Sequence, residues 1–248
     1  MSLKGKVAVV TGGGSGIGRA ISLQLAKDGA AISVWDLDAA KAQETVDLIA
    51  QGGGQAIACV GDASAAAGIQ SALERTRAEL GPVTILVNNA GTTGFCPIQD
   101  ITEDAWDRMM RINLKGPFLC TQASLPDMLA AGWGRIVNIT SSSTQIGSKK
   151  MAHYVSSKGG LAGFTKALAS EFARNGITVN NVPPNFIDTP MLREHVAAAD
   201  IENMAKASMM GHAGQPEDIA AAVAYLCSVE ARHINGHTLS VNGGNYMN

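Results

Sequence analysis

The feature that most constrains this chain is a regular alternation of strand-like and helix-like segments. Strand-like runs stand at Lys6–Val10, Ala31–Trp35, Ala56–Val60, Val83–Asn88, Arg135–Thr140, Ile177–Val182 and His237–Val241, with helix-like stretches between them. Such alternation builds one parallel sheet with helices on both faces. The expectation is α/β: a doubly wound, seven-stranded parallel sheet flanked by helices. At 248 residues the chain fits one large α/β domain or two small ones. No linker, internal repeat, charge block or low-complexity tract divides it, and Gly52-Gly53-Gly54 is too brief to separate domains. A single domain over residues 1–248 follows.

The first unit is the most specific. The apolar run Val7–Val10 enters Thr11-Gly12-Gly13-Gly14-Ser15-Gly16-Ile17-Gly18, and a helical pattern with Ile17, Ile21 and Leu25 on one face runs on to Gly29. Glycines permit positive φ and close backbone approach to a ligand. The unpaired N–H groups and positive dipole end of the helix suit a pyrophosphate. The spacing Gly12-x-x-x-Gly16-x-Gly18 differs from the G-x-G-x-x-G of the usual dinucleotide fingerprint. The second strand ends at Asp36, placed to accept both hydroxyls of an adenosine ribose and to repel a 2′-phosphate. No Arg or Lys lies in the loop or directly after Asp36, and Lys41 is the nearest cation on that side. The pattern favours NAD over NADP.

Tyr154 and Lys158 carry the chemistry. Four residues apart on a helix, they share a face. A free phenol titrates near ~10, and a neighbouring positive charge is expected to lower that value. The pair would then act as an acid/base on a substrate oxygen. By itself the spacing is common; its weight comes from the motifs around it.

Those motifs together resemble the short-chain dehydrogenase/reductase (SDR) family, and the resemblance runs from Lys6 to about Gly244. It implies a Rossmann-like domain and an NAD-dependent secondary alcohol dehydrogenase or carbonyl reductase. The loop Thr11–Gly18 matches the family's cofactor loop, with Gly12, Ser15, Gly16, Ile17 and Gly18 as contacts. Asp62, followed by Ala63, matches the acidic residue beside the adenine. Asn88-Asn89-Ala90-Gly91 matches the segment under the cofactor. Ile187 and Thr189 match the segment that holds the nicotinamide carboxamide. Asn113, Ser141, Tyr154 and Lys158 match the catalytic tetrad. The resemblance implies that Tyr154 exchanges the proton and Ser141 donates to the substrate oxygen. Lys158 would hold the nicotinamide ribose, and Asn113 a water linked to Lys158. It also implies a mobile substrate lid at about 190–211. The assembly implied is a homotetramer, with the helices of Asp104–Ala131 and Ser156–Asn175 pairing across a two-fold. One departure is Pro183-Pro184, where the family commonly has Pro-Gly; proline fixes φ and removes an N–H.

Other chemistries find little support. A formal net charge of −2, with signs mixed along the chain, offers nothing for nucleic acid or an anionic membrane. No apolar run approaches the ~20 residues of a membrane span, and the N-terminus lacks a signal-peptide pattern. The four cysteines are scattered, with Cys59 and Cys120 in apolar segments, so a reducing cytoplasm is expected. His233 and His237 are separated by Asn235-Gly236, and no zinc spacing, serine-hydrolase elbow or Walker loop occurs; no metal is expected.

The walls of the substrate pocket are expected to be Ile146, Met151, Phe186, Met191 and Leu192, with Gln145, His153 and Asn185 as polar members. That mostly apolar set, with Lys149 and Lys150 pointing to solvent, suggests a neutral secondary alcohol or ketone, cyclic or aryl-alkyl, of the hydroxyphenyl-ethanol kind. Two alternatives stand beside it. A 3-oxoacyl-(acyl-carrier-protein) reductase shares these motifs but would want NADPH and basic residues, which Met128–Gly134 lacks. A non-catalytic NAD-binding scaffold would have no need of a complete tetrad.

Overall fold

The computed structural model describes residues 2–247. In chain order the elements are β1 (Val7–Thr11), α1 (Gly16–Lys27), β2 (Ala31–Asp36), α2 (Ala39–Gln51), β3 (Ala56–Val60), α3 (Ala66–Glu79) and β4 (Ile85–Asn88), then α4 (Glu103–Met110), α5 (Gly116–Ala131), β5 (Gly134–Ile139), α6 (Ser143–Ile146), α7 (Ala152–Phe172) and β6 (Ile177–Val182), and last α8 (Pro190–His195), α9 (Ala198–Ala207) and α10 (Pro216–Cys227). The strands form one parallel sheet in the order β3-β2-β1-β4-β5-β6. Successive side chains of a strand point to opposite faces, and β1 shows what this does here. Ala8 and Val10 enter a core with Ile21 and Leu25 of α1 and Val223 of α10. Val7 and Val9 enter a second core with Leu73 of α3, Met128 of α5 and Leu168 of α7. Both faces are covered, so the strands read as nearly continuous apolar runs.

The expected seventh strand at His237–Val241 is absent, and the sheet has six strands among the described residues. The segment starts to pair with β6: Asn181 N–H donates to His237 O, and Leu239 N–H donates to Asn181 O. The next bond from β6 in a parallel ladder needs the N–H of residue 183. Pro183 has none, so the contact stays as separate bridges at Asn181–Thr238 and Pro184–Val241.

Between α4 and α5 the chain makes one wider turn, a π-helix at Arg111–Lys115, which places Asn113 in the interior. Such turns occur often at functional sites. The chain runs outward from β1 through β2 and β3, then crosses back to β4 beside β1. That reversal opens a crevice at the carboxyl ends of the strands, where ligands bind in open α/β sheets.

Candidate active site

The crevice is a cleft of about 710 Å³. Its floor on one side is the glycine loop. Gly12 and Gly16 have φ of +63° and +50°, the left-handed region that favours glycine. A Cβ on Gly18 would lie 2.0 Å from Gly12 O, so only glycine lets α1 begin so close to β1. Gly12, Ser15, Gly16, Ile17 and Gly18 all line the cleft, together with Asp36, Asp62, Ala63, Asn89, Ala90, Gly91, Ile187 and Thr189. Every residue expected at a cofactor is thus brought to one surface. The bare backbone at the α1 N-terminus is the cradle a pyrophosphate requires, and the donor set fits a nicotinamide dinucleotide.

Thr11 fastens this floor, a role not evident in the sequence because there it reads only as the first residue of the glycine loop. Its Oγ accepts the N–H groups of Asn89 and Ala90, each at 3.0 Å. Asn89 returns its amide to Thr11 O at 2.9 Å and Gly12 O at 3.2 Å. Asp36 closes the β2 side: its carboxylate accepts Gly14 N–H at 2.9 Å and Asp38 N–H at 3.0 Å while facing the cleft. Asp62 accepts the hydroxyl and N–H of Ser64 at 2.7 and 2.8 Å, and Arg111 at 3.2 Å. The Ser64 hydroxyl foremost, with Arg111 adding to it, holds this carboxyl below its ordinary range.

Ser141, Tyr154 and Lys158 line the same cleft. Ser141 follows the last residues of β5, and Tyr154 and Lys158 lie one turn apart on α7. A buried amide chain ties these elements: Asn88 of β4 donates to Asn138 of β5 at 2.8 Å, and Asn138 donates to Thr165 of α7 at 2.9 Å. Tyr154 keeps part of its surface open to the cleft, which Ser141 also lines. Lys158 is buried and donates to Ile139 O at 2.8 Å. Asn113 lies behind the cleft wall. Its Oδ1 accepts Thr92 N–H at 2.9 Å, and its amide donates to Thr92 O at 2.9 Å and Ser157 Oγ at 3.1 Å. Gly91 separates Asn113 from Lys158, since a Cβ there would meet Asn113 Oδ1 at 3.1 Å and Lys158 Nζ at 3.3 Å.

The electrostatics differ from the expectation that Lys158 draws the Tyr154 pKa down. Burial raises the Tyr154 phenol above its ordinary value, and the Ser141 hydrogen bond is what opposes it. Burial lowers Lys158 to about 8. The reason is direction: the ammonium is turned to the Ile139 carbonyl rather than spent on the phenol.

Of the expected pocket residues, Ile146, Met151, Asn185, Met191 and Leu192 line the cleft. Three do not. Phe186 sits at a bend of the chain between Asn185 and Ile187 and, unlike both, does not line the cleft. Gln145 turns its amide to Ser240 Oγ at 3.3 Å. His153 is buried on another flank of α7, against Gly94, with Nδ1 unpartnered. Arg108, Phe95 and Thr93 enter the cleft instead; the turn of α4 and the loop after β4 bring them there, which no local pattern announces. Among the described residues, no group of three or more His, Cys, Asp or Glu could hold a metal, and no helix is long and apolar enough to cross a membrane. Cys120 and Cys227 are buried, and burial pushes both thiols up to about 12.

Comparison with known proteins agrees with this geometry. The family model for short chain dehydrogenases matches residues 6–200. The chain is 40% identical to a (3R)-3-hydroxyacyl-CoA dehydrogenase of Canis lupus familiaris, covering 100% of this chain and 98% of the relative. It is 39% identical to the 3-oxoacyl-acyl-carrier-protein reductase FabG of Pseudomonas aeruginosa, over the full length of both. Among solved structures, a gluconate 5-dehydrogenase from Burkholderia cenocepacia J2315 in complex with NADP and tartrate superposes with a TM-score of 0.91 at 34% identity, covering 98% of this chain and 96% of that one. Fold, cleft and relatives converge, and the chain belongs to the short-chain dehydrogenase family of nicotinamide-dependent oxidoreductases.

Proposed function

We propose that this protein interconverts a 3-hydroxyacyl thioester and its 3-oxoacyl counterpart, with NAD as its preferred cofactor. The observation that carries the reaction is the convergence of Ser141, Tyr154 and Lys158 on the same cleft that the glycine cradle lines. The substrate class is supported by relatives named for 3-hydroxyacyl-CoA and 3-oxoacyl carrier substrates that align over the whole chain. The apolar side chains of Ile146, Met151 and Leu192 suit an acyl chain, and exposed Arg108 at the cleft suits a carrier phosphate. Asp36 supports NAD, because a 2′-phosphate would meet its carboxylate. The nearby cations are engaged: Arg19 with Glu44 and Gly14 O, Lys41 with Asp38.

When bound, the nicotinamide ring supplies the hydride acceptor or donor. The protein handles the proton. In oxidation Tyr154, as phenolate, takes the hydroxyl proton, and Ser141 donates a hydrogen bond to the oxygen as it becomes a carbonyl. Lys158, charged at neutral pH and anchored on Ile139 O, holds the nicotinamide ribose, and Ser141 is the group that favours the phenolate. Asn113 fixes Thr92 and the wall beside Lys158, and with water would relay the proton outward. Residues 190–211 serve as the substrate lid, with Met191 and Leu192 on the cleft side.

The second reading is a compact neutral secondary alcohol, favoured by the apolar lining near Tyr154. Steady-state assays decide between them: 3-hydroxybutyryl-CoA against 1-(4-hydroxyphenyl)ethanol, each with NAD and NADP. The expected result is a kcat/KM at least tenfold higher for the thioester, about 1.4 kcal/mol at the transition state. The reverse ranking transfers the assignment to the simple alcohol. NAD should be preferred in wild type, with the gap narrowed in Asp36→Ala. Equal use of both cofactors by wild type overturns the role given to Asp36.

A further inference from the structure

We propose that Ser143 is a positioning residue that commits the Ser141 proton to the reacting oxygen. Ser143 opens the short helix α6 and is buried. Its hydroxyl donates to Ser141 Oγ at 2.8 Å, and its N–H donates to the same atom at 3.2 Å. A serine hydroxyl has one proton and two lone pairs. Ser143 occupies both lone pairs, so a bond that Ser141 makes to the Tyr154 phenol or to a substrate oxygen must be one in which Ser141 donates. The neighbouring hydroxyls have other partners: Ser142 donates to Asn185 Oδ1 at 2.9 Å, and Thr144 to Ser141 O at 2.8 Å. Among the described residues, Ser143 is thus the one that donates to this atom.

The direction of that bond matters because it selects a protonation state. A hydroxyl that donates to the phenol oxygen, or to a substrate oxygen taking its place, favours negative charge there. A hydroxyl that accepts from Tyr154 holds the proton on the phenol. Removal of the Ser143 hydroxyl frees one lone pair of Ser141 and permits the second arrangement. Oxidation, which needs the phenolate, is slowed without loss of substrate binding.

The proposal rests on the roles given above to Ser141 and Tyr154, and its test separates the two. Wild type, Ser143→Ala, Ser143→Thr, Ser141→Ala and the Ser141→Ala/Ser143→Ala double variant are compared with racemic 3-hydroxybutyryl-CoA and NAD. Ser143→Ala should lower kcat about tenfold, the scale of one oriented hydrogen bond, with KM little changed. Ser143→Thr should restore it, and Ser143→Ala should add nothing to Ser141→Ala. In parallel, the protein without ligands is labelled with ¹³Cζ-tyrosine, and the Tyr154 resonance, assigned by Tyr154→Phe, is titrated by NMR. Its midpoint should rise in Ser143→Ala and return in Ser143→Thr. The charged side chains of the cleft, Asp36, Asp62, Arg108, Arg111 and Lys158, are the same in all forms, so the movement reports the hydrogen bond. An impaired Ser141→Ala beside a Ser143→Ala of wild-type rate and unchanged titration overturns the proposal alone. So does a Ser143→Ala loss that persists in the Ser141→Ala background. A Ser141→Ala variant of wild-type rate overturns the reading of the site, and this proposal with it.

Discussion

Burying an ammonium at the floor of the cleft costs the folded state free energy, and Lys158 shows how much and at what pH. Its folded pKa of about 8 lies below the ordinary 10.5. Between those values the unfolded chain binds more protons, so stability rises with pH across that window. The penalty is fully present below pH 8 and relieved as pH approaches 10.5. Denaturant melts of wild type and Lys158→Met at pH 7 and pH 10.5 should show wild type gaining on the order of 3 kcal/mol relative to the variant. Parallel behaviour at the two pH values would mean that the lysine is not desolvated. Such a cost is retained where function needs the charge. Tyr154 is the matching case: Tyr154→Phe should bind NAD like wild type, by fluorescence titration, and lose activity by about 10²–10⁴-fold. A variant that kept substantial turnover would remove the phenol from the mechanism.

At the scale of elements, the site depends on where helices begin and how closely they approach the strands. The start of α1 is the tightest point, with a Gly18 Cβ set to overlap Gly12 O at 2.0 Å and Asn89 Nδ2 at 2.6 Å. Gly18→Ala is expected to destabilise the fold by about 2 kcal/mol or more and to weaken NAD binding at least tenfold. Calorimetry and equilibrium titration check the two parts, and a variant with wild-type Tm and affinity would show that the loop relaxes freely. The π-turn at Arg111–Lys115 is the second such point. Asparagine is a poor mid-helix residue, but the widened turn around Asn113 and the Thr92 bonds that satisfy its amide come from packing. The third is Pro183-Pro184. Its missing N–H is plain in the sequence, yet its effect, ending the ladder with residues 237–241, depends on which segment lies beside β6.

The whole molecule leaves an apolar groove outside the cleft, lined by Met110, Leu114, Phe118 and Phe164 on α4, the π-turn, α5 and α7. It lies on the helices that the family resemblance pairs across a two-fold, and the homotetramer remains our proposal for the assembly. Light scattering should give four times the 25.6 kDa chain mass, and Phe118→Glu should yield smaller species; a monomeric wild type would refute the assembly. The groove also shows where local reading ends. The sequence by itself determined the alternation of strands and helices, the glycine loop, Asp36 at its strand end and the Tyr154–Lys158 spacing. Each of these follows from short-range geometry, since strand and helix periodicity and turn sterics act within a few residues. Only the tertiary structure decided that Phe186, Gln145 and His153 leave the cleft while Arg108 enters it. It also turned Lys158 toward Ile139 rather than the phenol, and set Thr11 and Ser143 behind the cofactor floor and the catalytic serine. Most of those outcomes depend on burial and on partners tens of residues away, which desolvate a charge only once the chain has closed around it; the Ser143–Ser141 pair is local in sequence, but its geometry is set by the turn that opens α6.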